Sequence, residues 1–101
     1  MPRHIVKETI VEAYFIKLML EAFPGAQINK YTPRRGEPDR ICLLPGGVVL
    51  FVELKRLGER PRPEQERAIK RLAELGFDAF VLIGKEEVKT FVETLKLELL
   101  I

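Results

Sequence analysis

Two short apolar runs, Ile41 to Leu44 and Val48 to Val52, lie on either side of Pro45-Gly46-Gly47, with charged residues at their outer ends. Short β-branched and aliphatic runs around a Pro-Gly turn predict two strands joined as a hairpin. Ahead of them, residues 5–22 follow a helical period and are stopped by Pro24-Gly25. That helix carries Lys7, Lys17 and Glu21 on one side and Ile5, Phe15, Ile16 and Met19 on the other. Glu12 falls among the apolar residues, with Glu8 one turn earlier. An acid in an apolar stripe costs free energy without a partner, so Glu12 either pairs with a basic residue at the helix rim or serves the function. Residues 26–32 alternate weakly and predict a first strand.

After the hairpin, Gly58 to Pro61 breaks the chain and Pro63 suits the first turn of a helix. This helix runs to about Leu75 and is stopped by Gly76. Its inward stripe is Gln65, Ala68, Ile69, Leu72 and Ala73, which makes Gln65 a polar residue on the buried face: a satisfied amide or cap, or part of a site. Ala79 to Ile83 is fully apolar and predicts a buried strand. Strand 48–55, helix 63–75 and strand 79–83 then form a βαβ unit, for which a parallel, right-handed crossover is expected. A last helix over 85–98 shows Val88, Phe91, Val92, Leu95 and Leu99 on one stripe. Leu97, Leu100 and Ile101 fall off it, as at a frayed terminus or a subunit contact.

The outer ends of the hairpin carry the chemistry. A three-residue loop pairs Leu44 with Val48 and sets Asp39 opposite Glu53, on one face; a two-residue loop would put the acids on opposite faces. Lys55 shares the face of Glu53. Opposed positions have Cβ atoms about 5 Å apart. Two carboxylates that close repel unless a cation lies between them or one is protonated. Two hard oxygen donors partly open to water suit a divalent ion such as magnesium.

Charge sharpens this. The net charge is only +2, but residues 30–71 hold eleven Lys or Arg against six Asp or Glu, net +5, while the rest of the chain is net −3. The excess surrounds the hairpin and the next helix, as suits a phosphate backbone. For any one arginine, solvated surface is the simpler reading. Pro33-Arg34-Arg35-Gly36 is a basic loop whose arginines suit phosphate contacts, and Gly36 allows close approach. Lys30, Arg40 and Arg56 are further candidates for DNA contact. At 101 residues the chain is expected to be one domain, and a hydrophobic content of 47% is ample for one core. The lone Cys42 excludes an internal disulfide and reads as an inert core thiol. With no signal peptide and no membrane-spanning run, an intracellular, cytoplasmic location is expected. No Walker or dinucleotide loop is present, and His4 has no Cys or His at ligand spacing.

Pro38-Asp39, a spacer and Glu53-Leu54-Lys55 resemble the PD-(D/E)XK nuclease signature. Together with Gly36-Glu37, the Leu-Pro-Gly-Gly turn, Phe51-Val52, Pro63-Glu64-Gln65 and Leu75-Gly76-Phe77, they resemble a VRR-NUC domain, from about Glu8 to Phe91. The resemblance implies a restriction-endonuclease-like α/β fold: an αβββαβ core with a mixed central sheet flanked by helices. It implies hydrolysis of a DNA phosphodiester with magnesium or manganese held by Asp39, Glu53 and the Leu54 carbonyl. Lys55 would orient the attacking water or stabilise the transition state, and Gln65 would position the water or Lys55. The family's helix acid aligns with Glu12, through Ile10-Val11-Glu12-Ala13-Tyr14, ahead of Glu8. Glu12 would act through water or at a second metal.

By the same resemblance, stand-alone, virus-encoded members look like four-way junction resolvases, whose two cuts on opposed strands a homodimer would supply through symmetry, and members fused to larger repair proteins look like flap or crosslink nucleases. A chain made of the nuclease core favours the first. Two rivals stand beside it: a DNA-binding module without chemistry, which gains little from two opposed acids, and a structural domain in which Lys55 merely neutralises an acid. Divalent-ion binding separates the nuclease from both.

Overall fold

The computed structural model describes residues 8–99, and of Glu8 the backbone alone. The elements run α1 (Glu8–Ala22), β1 (Gln27–Lys30), β2 (Arg40–Leu44), β3 (Val48–Lys55), α2 (Pro63–Glu74), β4 (Asp78–Ile83) and α3 (Gly84–Leu99). The sheet order is β1-β2-β3-β4. The first three strands are antiparallel neighbours and β4 runs parallel to β3. The chain is therefore an αβββαβ arrangement closed by a further helix. The expected start of the first helix at residues 5–7, and Leu100 and Ile101, lie outside the described residues.

The hairpin has the three-residue loop and the expected register, with Leu44 opposite Val48 and Arg40 opposite Val52. Alternation then divides β3. Leu50, Val52 and Leu54 meet Cys42, Leu44 and Leu82 on one face, under Val11, Phe15 and Met19 of α1 and Val88, Val92 and Leu95 of α3. Phe51, Glu53 and Lys55 alternate with these and are equally buried on the other face. There α2 brings Gln65, Ala68 and Leu72 inward, and Phe51 lies edge-on between Tyr31 and Phe77, at 4.9 and 5.6 Å. Gly76 ends α2 as expected. At φ +95° it lets its own N–H reach the Ala73 carbonyl and the Phe77 N–H reach Leu72, both at 3.0 Å.

Several expectations shift. Residues 78–83 form the sheet's edge strand, so only Leu82 of that apolar run is buried. The first strand is limited to four residues and is largely exposed, being the opposite edge. Ala73 points to solvent rather than into the sheet. The buried stripe of α1 runs through Val11, Phe15 and Met19, which leaves Glu12 at its rim. In α3, Leu99 is exposed rather than packed, and Leu97 is 72% exposed. Among the described residues no helix is long and apolar enough to cross a membrane.

Candidate active site

β2 begins at Arg40, but Asp39 stays in line with it, because its carbonyl accepts the Tyr31 N–H at 2.9 Å and so extends the ladder to β1. Carried on, the β2–β3 register sets Asp39 opposite Glu53 and Pro38 opposite Leu54. Pro38 has no N–H to give the Leu54 carbonyl. On the same residue, the Leu54 N–H donates to Asp39 Oδ2 at 2.9 Å. The end of the ladder is thus closed by a carboxylate instead of a main-chain carbonyl.

Glu53 is 1% exposed. Its Oε2 accepts Gln65 Nε2 at 2.8 Å and lies 3.2 Å from Lys55 Nζ. Lys55 is itself buried, beside Glu53 on the same strand face. Gln65 uses both ends of its amide: its Oε1 accepts the Arg62 N–H at 2.8 Å, at the start of α2. The cap and the contact with Glu53 are one arrangement, so α2 is registered on the hairpin through a single side chain. Burial pushes the Asp39 carboxyl above its ordinary range, helped by the negative charge of Glu12; the Leu54 N–H and the cations Lys55 and Arg40 oppose this.

Glu12, Lys30, Thr32, Asp39 and Arg40 line one cleft of about 190 Å³. Glu12 Oε2 is 3.1 Å from Arg40 Nη2, and both side chains are largely covered. Arg40, expected to face DNA, is turned inward to that acid. The Glu8 side chain lies outside the described residues. Lys30 and Arg35 are exposed, and Arg56 pairs with Glu59. Arg34 Nε donates to Glu37 Oε2 at 2.8 Å, and this bond with its charge raises the guanidinium's pKa. Among the described residues, no three His, Cys, Asp or Glu side chains converge as a ready-made metal cage.

Glu37 was not singled out by sequence pattern. Its side chain is 4% exposed and takes a second arginine, Arg71 Nη2 at 2.7 Å, from the far part of α2. Nothing local pairs residues so far apart. The available signal was an acid between the basic loop Arg34-Arg35 and Pro38-Asp39.

No protein-family model matches the chain. A relative from Acyrthosiphon pisum secondary endosymbiont phage 1, named "Putative nuclease p44", is 51% identical over 83 residues, which is 81% of this chain and 88% of the relative. A solved structure titled "VRR_NUC domain" superposes with a TM-score of 0.73 at 28% identity, over 85% of this chain and 94% of that one. A second, titled "VRR_NUC domain protein", has a TM-score of 0.72 at 19% identity, over 88% of this chain and 87% of that one, and bears on the fold alone.

Proposed function

The chain belongs to the VRR-NUC family of nucleases, and from that premise we propose that it is a metal-dependent, structure-selective DNA endonuclease that acts on four-way junctions as a homodimer. The observation that carries this reading is the buried Glu53, shared by Lys55 and Gln65 at the hairpin end where Asp39 closes the ladder. A fold gains little stability from such a cluster, because desolvating an ion pair offsets most of its attraction. A nuclease needs it, to place charge where charge develops.

The donor set fits a divalent ion. Asp39 is crowded by burial and by Glu12, a condition that a cation relieves. Two carboxylates and a carbonyl, completed by water, suit magnesium or manganese, which keep part of their water shell, better than calcium. Asp39, Glu53 and the Leu54 carbonyl would hold the ion, and Glu12 would act through water or at a second site. Once bound, the ion supplies a lowered pKa for water and offsets charge on the phosphate.

The protein's own groups do the rest. Lys55 sets a positive charge beside the reacting phosphate and orients the attacking water. Gln65 holds Glu53 in one rotamer, so the carboxylate does not reorganise as charge moves. Lys30 and Arg35, being exposed, draw in the DNA backbone by counterion release.

A gel assay on labelled four-way junction, flap, linear duplex and single strand tests this. Symmetric junction cleavage in magnesium or manganese, absent in calcium, is expected. Flap preference would move the reading to a flap nuclease. Binding without cleavage in any metal would leave a DNA-binding module.

A further inference from the structure

A single buried carboxylate holds two arginines that the chain places far apart. Glu37 Oε2 accepts Arg34 Nε at 2.8 Å and Arg71 Nη2 at 2.7 Å. The acid is 4% exposed, whereas Arg34 is 67% and Arg71 44% exposed. The guanidiniums are therefore anchored from beneath and open above. One negative charge against two positive leaves a local excess of +1. Each guanidinium has five N–H donors, so both keep donors that Glu37 does not use.

The loop bearing Arg34 is pressed against α2 by a second contact. A Cβ on Gly36 would come within 3.1 Å of Glu64 Cγ, and Gly36 has φ +88°. Glu64 and Arg71 are two turns apart on α2 and share a face. Residues 36 and 37 thus lie along that face, tied at two points. Pro38, fully buried, follows directly, and Asp39 comes next. The anchoring carboxylate is thus two residues from Asp39 along the chain.

We propose that Arg34 and Arg71, held by Glu37, form a preset grip for a DNA backbone phosphate flanking the reacting one. Glu37 is a positioning residue: it touches no DNA, but fixes two forks whose free N–H groups match phosphate oxygens. Anchoring them before DNA arrives lowers the ordering cost of binding. The grip deepens the nuclease reading above and rests on it.

The test is fluorescence anisotropy of a labelled four-way junction titrated with protein, without divalent ions, across roughly 50–200 mM salt. Arg34→Ala and Arg71→Ala should each weaken binding on the order of fivefold near physiological salt and reduce the salt slope by about 1. Glu37→Gln gives the sharper sign. It removes a negative charge, so charge counting alone demands tighter binding; the grip demands weaker binding, because a neutral amide oxygen holds both arginines less firmly than a carboxylate does. Arg71→Lys keeps the charge, loses the fork and changes an exposed group, so it reads the same point if Glu37→Gln melts early. Weaker binding by both variants, or by Arg71→Lys where Glu37→Gln does not fold, supports the grip. Binding by Arg71→Lys equal to wild type, or Glu37→Gln binding as tightly as wild type or more so while folded, would overturn it. A wild-type chain that binds no DNA would instead overturn the nuclease reading itself, and the grip with it.

Discussion

Glu53 and Lys55 are an ion pair almost without water, and the consequence of removing either partner differs. Lys55→Ala takes from the buried Glu53 the cation that lies 3.2 Å from its Oε2, which should cost on the order of 3 kcal/mol. Against a total stability of about 5–15 kcal/mol that is a large share, visible in urea unfolding. Adding Glu53→Gln to Lys55→Ala should restore part of it. Asp39 acts in the opposite sense. Its carboxyl is raised above 3.8, so the folded state holds its proton longer than the unfolded chain does. Stability on this account is highest below that value and falls as pH rises through the folded-state pKa. At neutral pH the ionised Asp39 is a cost, so Asp39→Asn, which can still accept the Leu54 N–H, should melt no lower than wild type in chelator. Magnesium should then raise the melting temperature of wild type but not of the variant. Cys42 is pushed up to about 12 by burial. It should resist alkylation at pH 8 in the native protein and react once unfolded.

At the scale of elements, the hairpin register was legible because loop length and alternation leave two options, and only one puts both acids on one face. The βαβ unit and the stop at Gly76 were legible from local chemistry. The exposure of β4 was not: an apolar run states its hydrophobicity, whereas its place at the sheet edge depends on strand order. Glu12 was expected inside an apolar stripe, yet α3 packs on Val11, Phe15 and Met19 and leaves Glu12 at the rim, where Arg40 meets it. The dual use of the Gln65 amide and the link from Glu37 to Arg71 needed the tertiary fold, since no local spacing encodes them. Two glycines separate the elements' roles. Gly76→Ala forces a left-handed alanine at the end of α2 and should cost about 1–2 kcal/mol, with DNA affinity unchanged. Gly36→Ala adds a contact at 3.1 Å to the same penalty and should lower both stability and DNA affinity. Thermal melts and anisotropy on the two variants distinguish them.

For the whole molecule, a symmetric pair of cuts in a junction needs two copies of the site, which a twofold dimer supplies. Exposed Ile10 and Leu20 on α1 and Leu97 on α3 give apolar area for such a contact. Light scattering after size exclusion should report about twice the 11.6 kDa chain mass at micromolar concentration; a monomer that prefers flaps would move the function accordingly. The expected junction cleavage depends on Asp39, Glu53 and Lys55 being the site of hydrolysis. The direct measurement is cleavage of an end-labelled four-way junction in magnesium by wild type and Glu53→Gln, with the affinity of each for the same junction measured in chelator. Glu53→Gln keeps the shape of the side chain and its capacity to accept from Gln65, so it should bind the junction as wild type does and fail to cut it. Cutting at the wild-type rate by Glu53→Gln would contradict the assignment of this cluster as the active site.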